Sequence, residues 1–236
     1  PVLVPVGAYV FGRGLRAPNP TPAAFAVALT AFLFFTGDPG PGDAAETIAF
    51  NQRIMGGTLA STLAGEFSFT LAIALALFFL GTLASALRSR RHLWLPALLL
   101  AACLMSHLVV GVFAGIGAVT IWAFHHPWRN LGRALAIGAV GVALSAVWVV
   151  PLLATITYTT DMRYGPIGVN APEGQGYADY LFPDYFFHPQ GFEPYRFGAY
   201  ALSAVAIVAA VVRMRKSTLV VLVMTAACGL TFRYWT

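Results

Sequence analysis

Apolar residues in this chain come in long, nearly uninterrupted blocks, without the strict alternation of a half-buried strand or the heptad of a coiled coil. The stretches 66–87 and 134–155 hold one charged residue between them, Glu66 at the very start of the first. As helices, such stretches are long enough to cross a hydrocarbon layer of about 30 Å. The pattern therefore predicts an all-α protein, a multi-pass transmembrane helical bundle.

Polar positions punctuate these blocks in two distinct ways. Basic groups fall at Arg13/Arg16, Arg88/Arg90/Arg91, Arg129/Arg133 and Arg213/Arg215/Lys216. The acids, Asp38, Asp43, Glu46, Glu66, Asp161, Glu173, Asp179, Asp184 and Glu193, all lie in the segments between them. Short loops rich in Lys and Arg face the cytoplasm, so the acidic segments are expected on the outer side. The alternation predicts a partial span at 1–12 running inward and a return at 23–36. An outer loop follows at 37–65, then an inward span at 66–87. Segment 134–155 goes out, 156–198 forms a long structured outer loop, 199–212 goes in and 218–235 goes out. The stretch 92–124 has basic groups at both ends and so must go out and come back, as a short hairpin turning near Ser106-His107. The competing reading is one long tilted helix, which would invert everything downstream. The hairpin makes about eight membrane segments in a single transmembrane domain over 1–236.

Composition agrees with a membrane class. The chain is 58% hydrophobic and 10% charged, with a mean hydropathy of +0.75; a soluble domain of this size carries about 25% charged residues. One lysine stands against thirteen arginines, a bias expected of a GC-rich bacterial genome; the expected location is a bacterial plasma (inner) membrane. With no initiator Met and an apolar run at the end, the chain reads as a fragment of a longer polypeptide. The net charge of +5 sits at helix ends, as topology requires, and argues for no nucleic-acid partner. Cys103 and Cys228 lie inside apolar segments and read as small packing residues.

Candidate chemistry concentrates on the acidic side. Glu66 stands at the mouth of an otherwise apolar helix; an ionisable group there marks a cavity or functional site, although an acid in a first turn also complements the helix dipole. His107, at the turn of the hairpin, is expected at the same level; alone, a histidine in such a place is a hydrogen-bonding residue. His125-His126 read as an interfacial boundary. The second outer loop is rich in aromatics, among them Tyr164, beside Asp161, Arg163, Asp184, His188 and Arg196. Flat rings pack on sugar C–H faces while carboxylates accept hydroxyl hydrogen bonds, and Arg163 and Arg196 carry the forked donors that suit a phosphate. An amphipathic loop lying on the membrane surface is an equal reading. The spacing of Asp184, His188 and Glu193 matches no recurring metal site, and no metal ligand is assigned. Serine-hydrolase, nucleotide-binding and Cys-x-x-Cys patterns are absent.

The run from Gly56 to Leu71, GGTLASTLAGEFSFTL, resembles the hallmark of a bacterial membrane family labelled 6-pyruvoyl-tetrahydropterin synthase-related, itself similar to the GT-C glycosyltransferases. The Leu104–Leu108 element LMSHL and the region from Pro5 to Tyr9 fit the same family, and the resemblance covers roughly residues 1–155. It implies a GT-C-like body and a membrane enzyme using a polyprenyl-phosphate sugar as donor on the outer face, with membrane lipids and other membrane proteins as partners and a divalent cation admitted as cofactor. The family's catalytic acid would lie upstream of residue 1. Glu66 is the one residue carried over as catalytic, on the wall of the outer cavity, with Arg53, Arg163 or Arg196 holding the donor phosphate and His107 lining the cavity. The leading expectation is thus transfer of a sugar to a cell-envelope glycan or lipid. A non-catalytic scaffold or lipid-binding subunit is the alternative, and a lipid or glycan transporter stands third.

Overall fold

The computed structural model describes residues 2–33, 62, 67–155, 208 and 215–235. Among them are seven helices: α1 (Leu3–Gly14), α2 (Thr21–Leu33), α3 (Phe67–Ser89), α4 (Trp94–Ser106), α5 (Leu108–Phe124), α6 (Pro127–Ala154) and α7 (Lys216–Trp235). The chain divides into two packed units, Pro1–Leu153 and Ala154–Thr236. In the second, the described helix is α7.

In the first unit α3 is the central element, packed against α1, α4 and α5. It runs parallel to α1, because contacts advance together along both: Gly7 lies against Ala74 and Leu77, and Val10 and Phe11 lie against Gly81. The closest approach is glycine on glycine. A Cβ on Gly14 would overlap the Gly81 carbonyl, and one on Gly81 would sit 2.7 Å from the Val10 oxygen. Helix α2 folds back along α1, with Gly12 against Pro22 and the Phe11 and Phe25 rings 6.3 Å apart. Farther along, Leu29 joins Leu77 and Ile73 around Val4 and Ala74.

Helix α1 stops in a Schellman motif. The Ala17 N–H donates to the Gly12 carbonyl and the Arg16 N–H to the Arg13 carbonyl, both at 3.0 Å. Glycine usually occupies the left-handed position of that motif; here it is Arg16, with φ 56°.

The stretch 92–124 is two helices, broken at His107. That residue is extended (φ −161°, ψ 110°) and caps both helices at once. Its N–H donates to the Cys103 carbonyl, and its own carbonyl accepts from Gly111. One extended residue between two helices reverses the chain, so α4 runs antiparallel to α3 and α5 runs parallel to it. The two helices close over one another where Gly111 faces Leu104. Cys103, fully buried, donates its S–H to the Ala72 carbonyl of α3 at 3.5 Å. Gly141 seats α6 on α4, where a Cβ would come within 2.8 Å of Leu100.

The expectation of about eight membrane segments in a GT-C-like bundle is corrected here. All described elements are helical, but only two, α3 and α6, are long and apolar enough to cross a membrane. Helices α1, α2, α4 and α5 have 12, 13, 13 and 17 residues. At 1.5 Å per residue they reach roughly 18–26 Å, short of a hydrocarbon layer of about 30 Å. Within the 20-residue α7, the stretch Lys216–Cys228, whose residues are all described, is likewise short. Apolar runs overcount spans because a run does not report how much of itself becomes one helix. The expected span at 199–212 and the two outer loops lie outside the described residues, apart from Thr62 and Val208.

Candidate functional site

Four described side chains gather where α3 begins. Thr62 and Thr70 share a hydroxyl–hydroxyl hydrogen bond of 2.8 Å. Thr70 is fully buried, one turn into the helix. On another side of the same turn, Phe69 meets His107 edge-on, with ring centroids 5.0 Å apart and planes at 81°. Aromatic pairs prefer this geometry because a positive ring edge meets a negative face. His107 is half-buried and its Nδ1 is shielded from solvent.

Beside the threonines lies a cavity of about 190 Å³ lined by Leu3, Val4, Thr62, Phe67, Thr70, Leu71 and Ala74. It is formed because α1 and α3 start side by side and then converge on Gly14 and Gly81. The wall is apolar apart from the two hydroxyls. Such a wall suits an alkyl or isoprenoid chain, with one polar group anchored by the threonine pair.

Of the residues singled out from the sequence, His107 is placed, at the junction of α4 and α5 and in contact with the head of α3. Glu66, one position before α3, lies outside the described residues, as do Arg53, Asp161, Arg163, Tyr164, Asp184, His188 and Arg196. Among the described residues no group of three metal-ligating side chains occurs. The threonine pair was missed. Its only sequence signal is Thr70 standing four residues after Glu66, the spacing of a common helix face.

The opposite end of the unit also departs from expectation. His125, read as an interfacial residue, is buried at 8% exposure, while His126 is exposed. The Nδ1 of His125 lies 2.8 Å from the Ile121 carbonyl, and its Nε2 lies 3.2 Å from Nη1 of Arg88. A carbonyl only accepts, so Nδ1 carries the proton and Nε2 accepts from the guanidinium. Asn130 donates to the His125 carbonyl and accepts from Arg133 at 2.6 Å. This chain of bonds ties the ends of α3 and α5 to the start of α6.

Compared with protein-family models, curated proteins and solved structures, the chain matches none.

Proposed function

We propose that this protein is a membrane-embedded transferase that takes a sugar from a polyprenyl-phosphate donor. The observation that carries the reading is the contact of Phe69 with His107. It joins two of the three segments on which the family resemblance rests, Gly56–Leu71 and Leu104–Leu108, although most of α3 and most of α4 lie between them. The apolar cavity next to them supports the same reading, since it suits the isoprenoid tail of such a donor. A membrane setting is supported by α6. Its apolar side chains Leu135, Val142, Val147 and Val150 are each more than half exposed, a face that water does not tolerate at this extent.

In this reading Glu66 helps remove the proton from the acceptor hydroxyl as it attacks the anomeric carbon. General-base assistance is worth about 10²–10⁴-fold in rate. Substituting Glu66→Gln in the full chain is therefore expected to lower transfer from a lipid-linked sugar by at least about 100-fold with donor binding retained. Unchanged turnover removes the carboxylate from the reaction. The cavity also favours a second reading, a lipid-binding subunit without catalysis; donor binding with no transfer in the unaltered chain would select it.

A further inference from the structure

The turn between α5 and α6 consists of two residues, and both are histidines. His125 has φ −118° and ψ 57°, and His126 is left-handed, with φ 55°. A non-glycine residue takes the left-handed conformation only at a cost, and buried side chains hold the turn in place. Asn130, 5% exposed, donates to the His125 carbonyl and accepts from Arg133. The His125 ring donates from Nδ1 to the Ile121 carbonyl at 2.8 Å and accepts at Nε2 from Arg88 at 3.2 Å. That second bond clamps the turn to the last turn of α3, 37 positions earlier in the chain.

The clamp holds only while the ring is neutral. With Nδ1 already donating, the place left for a further proton is Nε2, where the guanidinium N–H points. A proton there removes the acceptor and sets an imidazolium against a guanidinium. The groups around the ring add positive charge. Besides Arg88 of α3 they are Arg133 of α6, reached through Asn130, and the exposed His126 next in the chain. From α1, the charge of Arg16 bears on Arg88. Among the described residues no Asp or Glu offsets them.

We propose that the His125–Arg88 bond is an acid-released clamp: protonation of His125 frees Arg88 and unlocks the turn between α5 and α6 from the end of α3. An unfolded chain takes up a proton at this ring near pH 6.5, whereas the folded chain does so only once the bond has broken. Just below that pH the unfolded state therefore binds more protons than the folded one. The stabilisation is whole above about pH 6.5 and is lost as the pH falls below it. The clamp lies at the end of α3 remote from Phe69 and His107. Its test reads no sugar transfer, so it stands or falls separately from the proposed activity.

The experiment follows the Tm of the full chain in an uncharged detergent from about pH 7.5 to 5. Below about pH 6.5 the wild type is expected to lose up to about 3–5 °C per pH unit, a tenfold change in the folding equilibrium at this chain length. His125→Gln keeps an amide oxygen that accepts from Arg88 and takes up no proton, so most of that slope should vanish. Arg88→Met should flatten it as well, because the ring is then charged without facing a guanidinium. His126→Gln, at the exposed neighbour, should keep the wild-type slope. Nitrogen NMR of the histidine-labelled wild type reads the proton directly, without relying on any variant to fold. At about pH 7.5 it should show His125 protonated at Nδ1 and bare at Nε2. An unaltered slope in His125→Gln, or a His125 ring carrying its proton on Nε2 at that pH, overturns the proposal.

Discussion

At Gly14 and Gly81 two backbones touch, and a single methyl group at either position must displace a carbonyl. Overpacking of this kind costs about 1–3 kcal/mol when the obstacle cannot rotate away. Gly81→Ala is accordingly expected to lower the thermal midpoint. Gly115→Ala, with nothing within 4 Å of the added Cβ, should leave it unchanged or raise it, by up to about 1 kcal/mol of helix propensity. A loss at Gly115 as large as that at Gly81 would mean that a neighbour covers α5. The sequence carries at Gly111 and Gly115 the spacing of a small-residue packing face, and of the two Gly111 alone seats a side chain, Leu104. It was silent on Gly14 and Gly81, because a contact between residues so far apart leaves no local periodicity. His107 was legible as a turn, but its ring contact with Phe69 depends on how α3 and α5 lie side by side.

At the scale of elements, α6 differs from its neighbours. It is 28 residues long with a mean hydropathy of 2.2 over its most apolar window, yet 17% of that window is buried within the protein. By contrast, half of the corresponding window of α3 is buried. If lipid covers α6, a charge at its middle should oppose insertion by about 2.5–3.5 kcal/mol. Val142→Arg, at a position 54% exposed, is predicted to reduce membrane integration of the full chain strongly, as read by glycosylation mapping. Trp128→Arg, at the helix start, should have little effect. Equal integration of both variants would show that α6 rests on protein or water. The helix ends near the place that its sequence announces, three residues after Pro151, since a proline in the last turn leaves little helix to propagate. The short helices α4 and α5 show the opposite limit. Their apolar run was plain, but its division into two pieces too short to cross alone follows from the extended backbone of one residue.

On the scale of the whole first unit, Arg88 and Arg133 are linked through the contact of Arg88 with His125 and of Asn130 with the His125 carbonyl and with Arg133. Two basic groups far apart in the chain thus lie at one end. Cysteines introduced at Arg90 and Arg129, in a chain with Cys103→Ala and Cys228→Ala, are expected to react with an impermeant maleimide from the same side of sealed vesicles. Labelling from opposite sides would contradict the common end. The order of blocks by itself determined this alternation of apolar helices and basic ends, since the transfer cost of a charge depends on the residue and hardly on its neighbours. It also located the break at His107 and the head of α3. Only the tertiary structure decided which apolar runs became helices of membrane-crossing length, which glycines bring α1 and α3 together, and that His125 is buried as the acceptor of Arg88. Those outcomes depend on distances between residues remote in sequence, and a linear pattern carries hydrophobicity without carrying distance.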